Sequence, residues 1–230
     1  MAKEFTEEEL EQDPLINSYA KTRDFYIEHK KVIIGSAVVV LLAIALAIGY
    51  HYYQKSQNQE AQQLMGMAET FYLQGDYERA LTGSEEDFTI GFQQIADNYS
   101  RTQAGNLAHY YAAVSEYNLG NTQQALSYMQ DYEAPAGILG VAPLSFHGVL
   151  LTEVGNHLQA AKIYVKAAEW DENPSTAPYN YLEAAKAFHD SGEMENAKTY
   201  AQLVVDEYEN SSQVAEANKL LGRLMAANGK

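Results

Sequence analysis

The chain has 230 residues, of which 15 are lysine or arginine and 31 are aspartate or glutamate, so its formal net charge is −16. Proteins that bind nucleic acid neutralise phosphates with a basic face, and this acidic balance excludes DNA and RNA as expected partners. The chain also has no cysteine. Disulfide frameworks, zinc-thiolate sites and iron–sulfur clusters are therefore excluded as well.

An uncharged apolar segment near the N-terminus predicts a membrane-spanning helix. The nineteen residues from Val32 to Tyr50 cover about 28 Å as a helix, close to the roughly 30 Å hydrocarbon core of a bilayer. With the aromatic residues that follow, the predicted transmembrane helix is 32–53. A cleaved signal peptide is the alternative, because Ala43 to Ala45 matches the small-residue cleavage motif. The 31 residues that precede the apolar segment favour an uncleaved anchor.

Basic residues are concentrated before the predicted span. The fifteen residues before it contain four basic side chains, whereas 52–66 contains one, Lys55. Because basic flanks stay in the cytoplasm, we expect 1–31 to be cytoplasmic and 54–230 to lie across the membrane. The four basic residues are Lys21, Arg23, Lys30 and Lys31.

Small side chains recur four positions apart within the span. This spacing places them on one face of a helix and lets a second helix approach closely. Alanine-rich spans also occur without partners, but we favour lateral contact with another membrane helix. The residues expected to make this contact are Ala43, Ala45, Ala47 and Gly49.

A glycine with an alanine five positions later occurs four times after the span. The glycines are separated by 45, 35 and 37 residues, and a period near 34 is typical of helix–turn–helix arrays. We expect each glycine to end a helix in the left-handed conformation and the next, polar residue to cap the following helix. The four segments are Gly75–Ala80, Gly120–Ala125, Gly155–Ala160 and Gly192–Ala197.

The residues around these turns resemble tetratricopeptide repeats (TPRs). In the unit that turns at Gly155, the residues Gly148, Ala160, Tyr164 and Ala167 fill the family's small, small, aromatic and small positions. The resemblance implies an all-α fold, in which a single N-terminal transmembrane helix is followed by a TPR α-solenoid of about four helical hairpins and a C-terminal capping helix. The matching residues of the other units are Ala68, Phe71, Ala80, Ala113, Ala125, Ala185, Phe188 and Ala197.

Two segments lie outside the repeat pattern. The acidic insertion Thr82–Asp87 follows the first unit and lengthens the first interval. Its cluster Glu85–Asp87 lacks the spaced oxygen ligands and internal glycine of a calcium loop, so we expect a solvated loop. The second segment, 212–227, is predicted to be the capping helix that covers the last apolar face.

No pattern in the chain predicts catalysis, a cofactor or a metal site, so we expect a protein that is not an enzyme. No histidine belongs to an H-E-x-x-H motif, and each is expected to be an ordinary helix residue. The enzyme alternative requires His109 or His147 to lie in a deep polar cleft with a carboxylate partner. The six histidines are His29, His51, His109, His147, His157 and His189.

The TPR resemblance also predicts a binding groove. In such arrays the first helices of successive units line a concave surface, and here their residues are mostly apolar and aromatic. Such a groove suits an extended or helical apolar segment of another protein; the alternative is that several of the tyrosines only pack neighbouring helices. The predicted groove residues are Met65, Tyr72, Tyr110, Val114, Tyr117, Val149, Thr152, Lys186 and His189.

The whole layout, a short N-terminal segment, one span and an external TPR array, resembles the ancillary SecYEG translocon subunit family, the YfgM-like proteins of the bacterial inner membrane. The resemblance implies a periplasmic TPR domain and three kinds of protein partner: the SecYEG translocon, a PpiD-like periplasmic chaperone and newly exported polypeptides. Two departures are the long acidic N-terminal segment 1–14 and the insertion after Ala80. The alternative is a TPR assembly factor for another cell-envelope complex, in outer-membrane biogenesis or secretion.

Overall fold

A computed structural model describes residues 14–228, and the acidic N-terminal segment 1–13 lies outside the described residues. This part of the chain forms ten α-helices, one short 3-10 helix at Ile138–Gly140 and one hairpin of two short strands. The helices are α1 (Pro14–Leu73), α2 (Tyr77–Thr82), α3 (Phe92–Tyr99), α4 (Gln103–Asn118), α5 (Thr122–Asp131), α6 (Val141–Glu153), α7 (His157–Trp170), α8 (Ala177–Asp190), α9 (Met194–Glu207) and α10 (Val214–Asn228); the strands are β1 (Gly83–Ser84) and β2 (Thr89–Ile90).

The chain divides into two units, the first ending at Lys55 and the second beginning at Ser56. The described part of the first unit belongs to α1, and this helix is long and apolar enough to cross a membrane. Its large apolar side chains are exposed, for example Val39 at 65% and Leu46 at 74%. Such a surface is compatible with a lipid environment.

In the second unit, consecutive helices from α3 to α10 pack on one another in chain order. The final residues of α1, from Ser56 to Leu73, supply the first helix of the first pair. Their buried residues Ala61, Met65 and Ala68 recur at intervals of four and three, the spacing of one helix face. The pairs α4 with α5, α6 with α7 and α8 with α9 follow, and α10 packs on α9.

The turns between paired helices form as the sequence predicts. Gly75, Gly120, Gly155 and Gly192 have φ angles of 77°, 86°, 78° and 87°. This left-handed region costs glycine no Cβ clash, so each helix can end abruptly and the chain can reverse.

The prediction for the helix caps is confirmed at one turn and wrong at three. The side chain of Asp76 accepts a hydrogen bond from the backbone N–H of Arg79, as an N-cap should. The equivalent residues Asn121, Asn156 and Glu193 occupy the N-cap position without a capping hydrogen bond. Their side chains bond to other side chains instead, as when Asn121 donates to Glu116.

The predicted small and aromatic repeat residues are buried. Gly148 on α6 lies against the ring of Tyr164 on α7, where a Cβ atom would come within 2.7 Å of a ring carbon. The alanines let the paired helices approach closely, and each pair therefore buries its apolar stripe against the next. Residues of this pattern that are no more than 9% exposed are Ala68, Phe71, Ala80, Ala113, Ala125, Ala160, Tyr164, Ala167, Ala185, Phe188 and Ala197.

Two observations refine the predicted architecture. The acidic insertion is a β-hairpin, in which Gly83 pairs with Ile90, and it divides the second helix of the first pair into α2 and α3. A local strand pairing therefore interrupts the otherwise all-α fold. The predicted capping helix is present as α10, and its buried Leu220, Leu221 and Leu224 pack into the same core as α8.

Candidate protein-binding surface

Four aromatic side chains, Tyr110 and Tyr117 on α4, Tyr132 just after α5 and Phe146 on α6, form a partly exposed surface that we call the aromatic patch. The ring of Phe146 meets the edges of Tyr110 and Tyr117, with centroid distances of 6.1 and 5.4 Å. Tyr132 lies 5.6 Å from Tyr110. These ring contacts, two edge-to-face and one tilted, fix large, rigid surfaces at little entropic cost, a property of protein-binding sites.

A hydrogen bond between helices fixes one side of the aromatic patch. The hydroxyl of Tyr117 donates to Oε1 of Glu153 at 2.6 Å, and the hydroxyl of Thr122 donates to Oε2 of the same carboxylate at 3.2 Å. The bond to the carboxylate, followed by partial burial, raises the pKa of the Tyr117 hydroxyl. The tyrosine stays protonated and oriented at neutral pH.

Three further predicted groove residues are half-buried on the same two helices. Val114 lies on α4, while Val149 and Thr152 lie on α6, and Val149 packs on the core that also supports Tyr110 and Tyr117. The Thr152 hydroxyl donates to the backbone carbonyl of Gly148 at 2.9 Å. Both valines present apolar surface, whereas the hydroxyl hydrogen of Thr152 is already committed within its helix.

The structure corrects the prediction for Met65. This side chain is 3% exposed and belongs to the first core, so it contacts core neighbours and is not available to a ligand. Tyr72, one turn beyond the buried Ala68, is half-buried and lies 5.0 Å from Tyr111 and 5.5 Å from Tyr77. Its ring belongs to a second aromatic cluster at the edge of that core.

Lys186 and His189 on α8 face the capping helix. Lys186 Nζ lies 2.9 Å from carboxylate oxygens of both Glu183 and Glu216, and Glu216 is on α10. Partial burial acts to lower the pKa of Lys186, but its hydrogen bonds to Glu216 and Glu183 outweigh burial and raise the pKa. His189 pairs with its neighbour Asp190 at 2.9 Å. The chain's own C-terminal helix therefore engages this end of the predicted groove.

Sequence reasoning missed two residues of the aromatic patch, Tyr132 and Phe146. Phe146 lies three residues before the predicted Val149 and seven before Glu153, which is the spacing of one helix face. From this periodicity, Phe146 could have been predicted as a residue of the same surface. Tyr132 follows the last residue of α5, and its position depends on how the chain leaves that helix.

The small residues of the predicted span lie in α1 and are all exposed. A Cβ added at Gly49 would meet no atom within 4 Å. Ala43 with Ala47, and Ala45 with Gly49, each share a helix face because they are four residues apart. Contact with a second membrane helix through these residues stays a prediction.

No group of three or more metal-ligating histidine, aspartate or glutamate side chains occurs in the part of the chain that the structure describes. Three histidines, His109, His147 and His157, nevertheless have a buried ring nitrogen without a hydrogen-bond partner among the described residues. In the first two, this nitrogen is Nδ1 of His109 and Nε2 of His147. Burial lowers the pKa of His109 and of His147, so these two side chains are neutral near pH 7.

The family model named Tetratricopeptide repeat-like domain matches residues 23–164, and this range is more than half of the 230 residues. The chain belongs to this family. Tetratricopeptide repeat-like domains act as scaffolds for protein–protein interaction and are generally not enzymes. The matched range extends from before the predicted span into α7, and α8, α9 and α10 lie beyond it. A search of curated proteins found no match to the chain.

Proposed function

We propose that this protein is a non-enzymatic scaffold or co-chaperone, anchored in the bacterial inner membrane by one helix and associated with the Sec translocon. Its TPR helices stack as a solenoid whose groove binds a PpiD-like periplasmic chaperone, newly exported polypeptides or both. The observation that carries the proposal is the partly exposed aromatic patch on helices that the TPR-like family model matches, in a chain whose first described helix is apolar enough to span a membrane.

The chemistry of the patch supports an apolar polypeptide segment as its ligand. Tyr110, Tyr117 and Phe146 are held by ring contacts and by the bond from Tyr117 to Glu153, so little side-chain entropy is lost on binding. Val114 and Val149 extend the surface with aliphatic side chains. Aromatic anchors of this kind dominate the free energy of protein–protein binding.

The charge distribution supports the proposed orientation. Four basic residues precede the span and only Lys55 closely follows it, which favours a cytoplasmic N-terminus and a periplasmic second unit. Residues 51–230 contain 10 basic and 23 acidic side chains, a net charge of 10 − 23 = −13. Anionic lipid headgroups repel such a domain, so it stays in solvent near the membrane. Tethering to the membrane raises the effective concentration of the domain near its proposed membrane partners to the order of millimolar.

Photo-crosslinking in living cells tests this function. A photoreactive amino acid replaces Tyr117 in the patch, and a control replaces Gln123, an exposed residue of α5. We expect Tyr117 to crosslink a PpiD-like chaperone or exported chains, with much weaker products at Gln123. Crosslinks to outer-membrane biogenesis or secretion components instead would favour the assembly-factor alternative. Equal products at both positions would refute the groove.

The same method tests the membrane contact. A photoreactive residue at Ala47 is compared with one at Ile48, which lies on a helix face without either pair of small residues. We expect Ala47 to crosslink a translocon subunit and Ile48 to crosslink mainly lipid. Protease treatment of intact spheroplasts adds a check on orientation, because a second unit that resists digestion until lysis would place it in the cytoplasm.

A further inference from the structure

A polar pocket lies where α3, α4 and α5 meet, away from the aromatic patch. Its volume is about 320 Å³, and it is lined by Asp97 of α3, His109 and Glu116 of α4, and Tyr128 and Asp131 of α5, together with two glutamines and a serine. Seven residues separate His109 from Glu116, and seven separate Tyr110 from Tyr117. Since each residue advances about 100° around a helix, the pocket and the patch use different faces of α4.

The pocket is strongly acidic. Asp97, Glu116 and Asp131 contribute three carboxylates, and no lysine or arginine is among the described residues that line it. Asn121 donates a 2.8 Å hydrogen bond to one oxygen of Glu116, which holds that carboxylate in place. Three negative charges around one cavity raise the local concentration of cations and favour a positively charged ligand.

His109 lines the same pocket and has a ring nitrogen without a hydrogen-bond partner among the described residues. The residue is 8% exposed, and this nitrogen is Nδ1. Burial lowers the pKa of His109 more than Asp131 and Asp97 raise it, so the ring is neutral and one of its nitrogens can accept a hydrogen bond. A buried polar nitrogen without a partner is costly, and a donor group entering the pocket would relieve that cost.

The carboxylate oxygens and the imidazole ring of the pocket suit an organic cation better than a metal ion. They come from three helices around a cavity, and no three of the metal-ligating side chains in residues 14–228 come together as a metal site. A guanidinium or ammonium group can instead donate several hydrogen bonds at once, to carboxylates and to the imidazole. Tyr128 also lines the pocket, with its ring 6.2 Å from that of His109, and the face of an aromatic ring attracts cations.

We propose that this pocket binds the guanidinium or ammonium group of an arginine or lysine side chain from a partner protein. The site goes beyond the proposed groove and does not depend on it. It uses another face of α4 and binds a cationic group, whereas the groove binds an apolar segment. A partner that engages both surfaces would carry an apolar segment and, separately, a basic side chain.

The test uses the full chain in detergent micelles with isotopically labelled histidine, and His109→Gln assigns the His109 ring signal. The probe is Nα-acetyl-arginine methylamide, and its control is the citrulline analogue, which has the same shape without the charge. We expect a saturable shift of the His109 signal with the arginine probe only. Asp97→Asn and Asp131→Asn should each weaken binding by about two- to fivefold. Glu86→Gln, an equal charge change at an exposed residue of the hairpin, should leave it unchanged.

Several outcomes would overturn the inference. They are the absence of a saturable shift with the arginine probe, an equal shift with the citrulline analogue, and unchanged affinity in the double variant Asp97→Asn with Asp131→Asn. Spermidine is added as a free cation in a parallel titration. Tighter binding of spermidine than of an arginine-containing peptide would assign the pocket to a free polyamine and overturn the protein partner. None of these results depends on the aromatic patch, which the Tyr117 crosslinks test separately.

Discussion

The ring of Tyr164 packs directly on the backbone of Gly148, and a Cβ atom built on that glycine would lie 2.7 Å from ring carbon Cε1. The contact joins α6 to α7 in the pair that fits the repeat pattern best. Glycine has the smallest side chain, so the Tyr164 ring alone limits how closely α6 and α7 approach here. A side chain at position 148 can enter only if Tyr164 or the helices move.

Gly148→Ala is therefore expected to destabilise the second unit. Overpacking of a core costs about 1–3 kcal/mol, and the gain in helix propensity returns only about 1 kcal/mol. The free energy of unfolding is measured in denaturant with the full chain in micelles, using fluorescence of the single tryptophan, Trp170 on α7. The control Gly222→Ala has open space around its Cβ and should stabilise α10. Equal effects of the two substitutions would refute the close contact.

Acidification below pH 6.5 is expected to destabilise the protein through His109 and His147. Burial lowers the pKa of both, with Lys166 adding to the effect at His147. In the unfolded chain these histidines take up protons below their ordinary pKa of 6.5, while in the folded chain they stay neutral. The stability that the two neutral histidines contribute is thus fully present above pH 6.5. It falls as the pH drops towards their pKa values in the folded state.

The measurement is the free energy of unfolding between about pH 7.5 and about pH 5, above the range where carboxylates titrate. His109→Gln and His147→Gln should each flatten the pH dependence. His51→Gln, at an exposed position, serves as the control and should leave the curve as it is. A wild-type curve that is flat across this range would contradict the prediction.

Alkaline pH is expected to destabilise the fold through buried tyrosines, of which Tyr181 is one. Burial, followed by the charges of Glu172 and Glu169, raises the pKa of Tyr181 to about 12 from an ordinary value of 10.0. The Tyr181 hydroxyl therefore loses its proton at a higher pH in the folded state than in the unfolded state. The associated stability is present below pH 10.0 and is lost as the pH rises towards 12.

Tyrosinate absorbance and unfolding, measured together across this range, test the alkaline prediction. Tyr181→Phe should reduce the loss of stability above pH 10.0, because phenylalanine has no proton to lose. Tyr19→Phe, which removes a hydroxyl from a residue 70% exposed, should not. An equal effect of both substitutions would mean that burial of Tyr181 does not control the transition.

Lys186→Met is expected to loosen the capping helix. The ammonium group lies 2.9 Å from Glu216 of α10, and a partly exposed ion pair of this kind contributes about 0.2–1 kcal/mol. Amide hydrogen exchange in α10 should therefore accelerate by up to about fivefold. Lys198→Met, at an exposed site of α9, is the matched control. Unchanged exchange in the Lys186 variant would show that the leucines of α10 hold the helix without this ion pair.

The repeat architecture was predictable because its signals are local. A turn glycine such as Gly155 and an alanine five residues later specify a chain reversal and a close helix approach within one repeat. Each repeat carries this information independently, so the four occurrences predicted four helix pairs. The β-hairpin was not predicted, since Gly83 and Ile90 pair through backbone groups that leave little pattern in the sequence.

The surfaces were harder to predict because they depend on where neighbouring helices lie. Met65 was placed in a groove, although its spacing from Ala61 and Ala68 marks a single buried face. The acidic pocket combines residues of three helices. One signal was available, since Asp97 and Asp131 are 131 − 97 = 34 residues apart, the length of one repeat. Equivalent positions in successive repeats come together on one side of such an array.

Packing mainly in chain order, from α3 through α10, has a consequence for how the protein matures. Contacts between neighbours in sequence need no distant segment to be synthesised first, and low contact order of this kind speeds folding. A polypeptide that emerges N-terminus first can fold each helix pair against the pair that precedes it. Of the described helices α10 docks last, and until it docks, the apolar residues of α8 that share a core with it lack that cover.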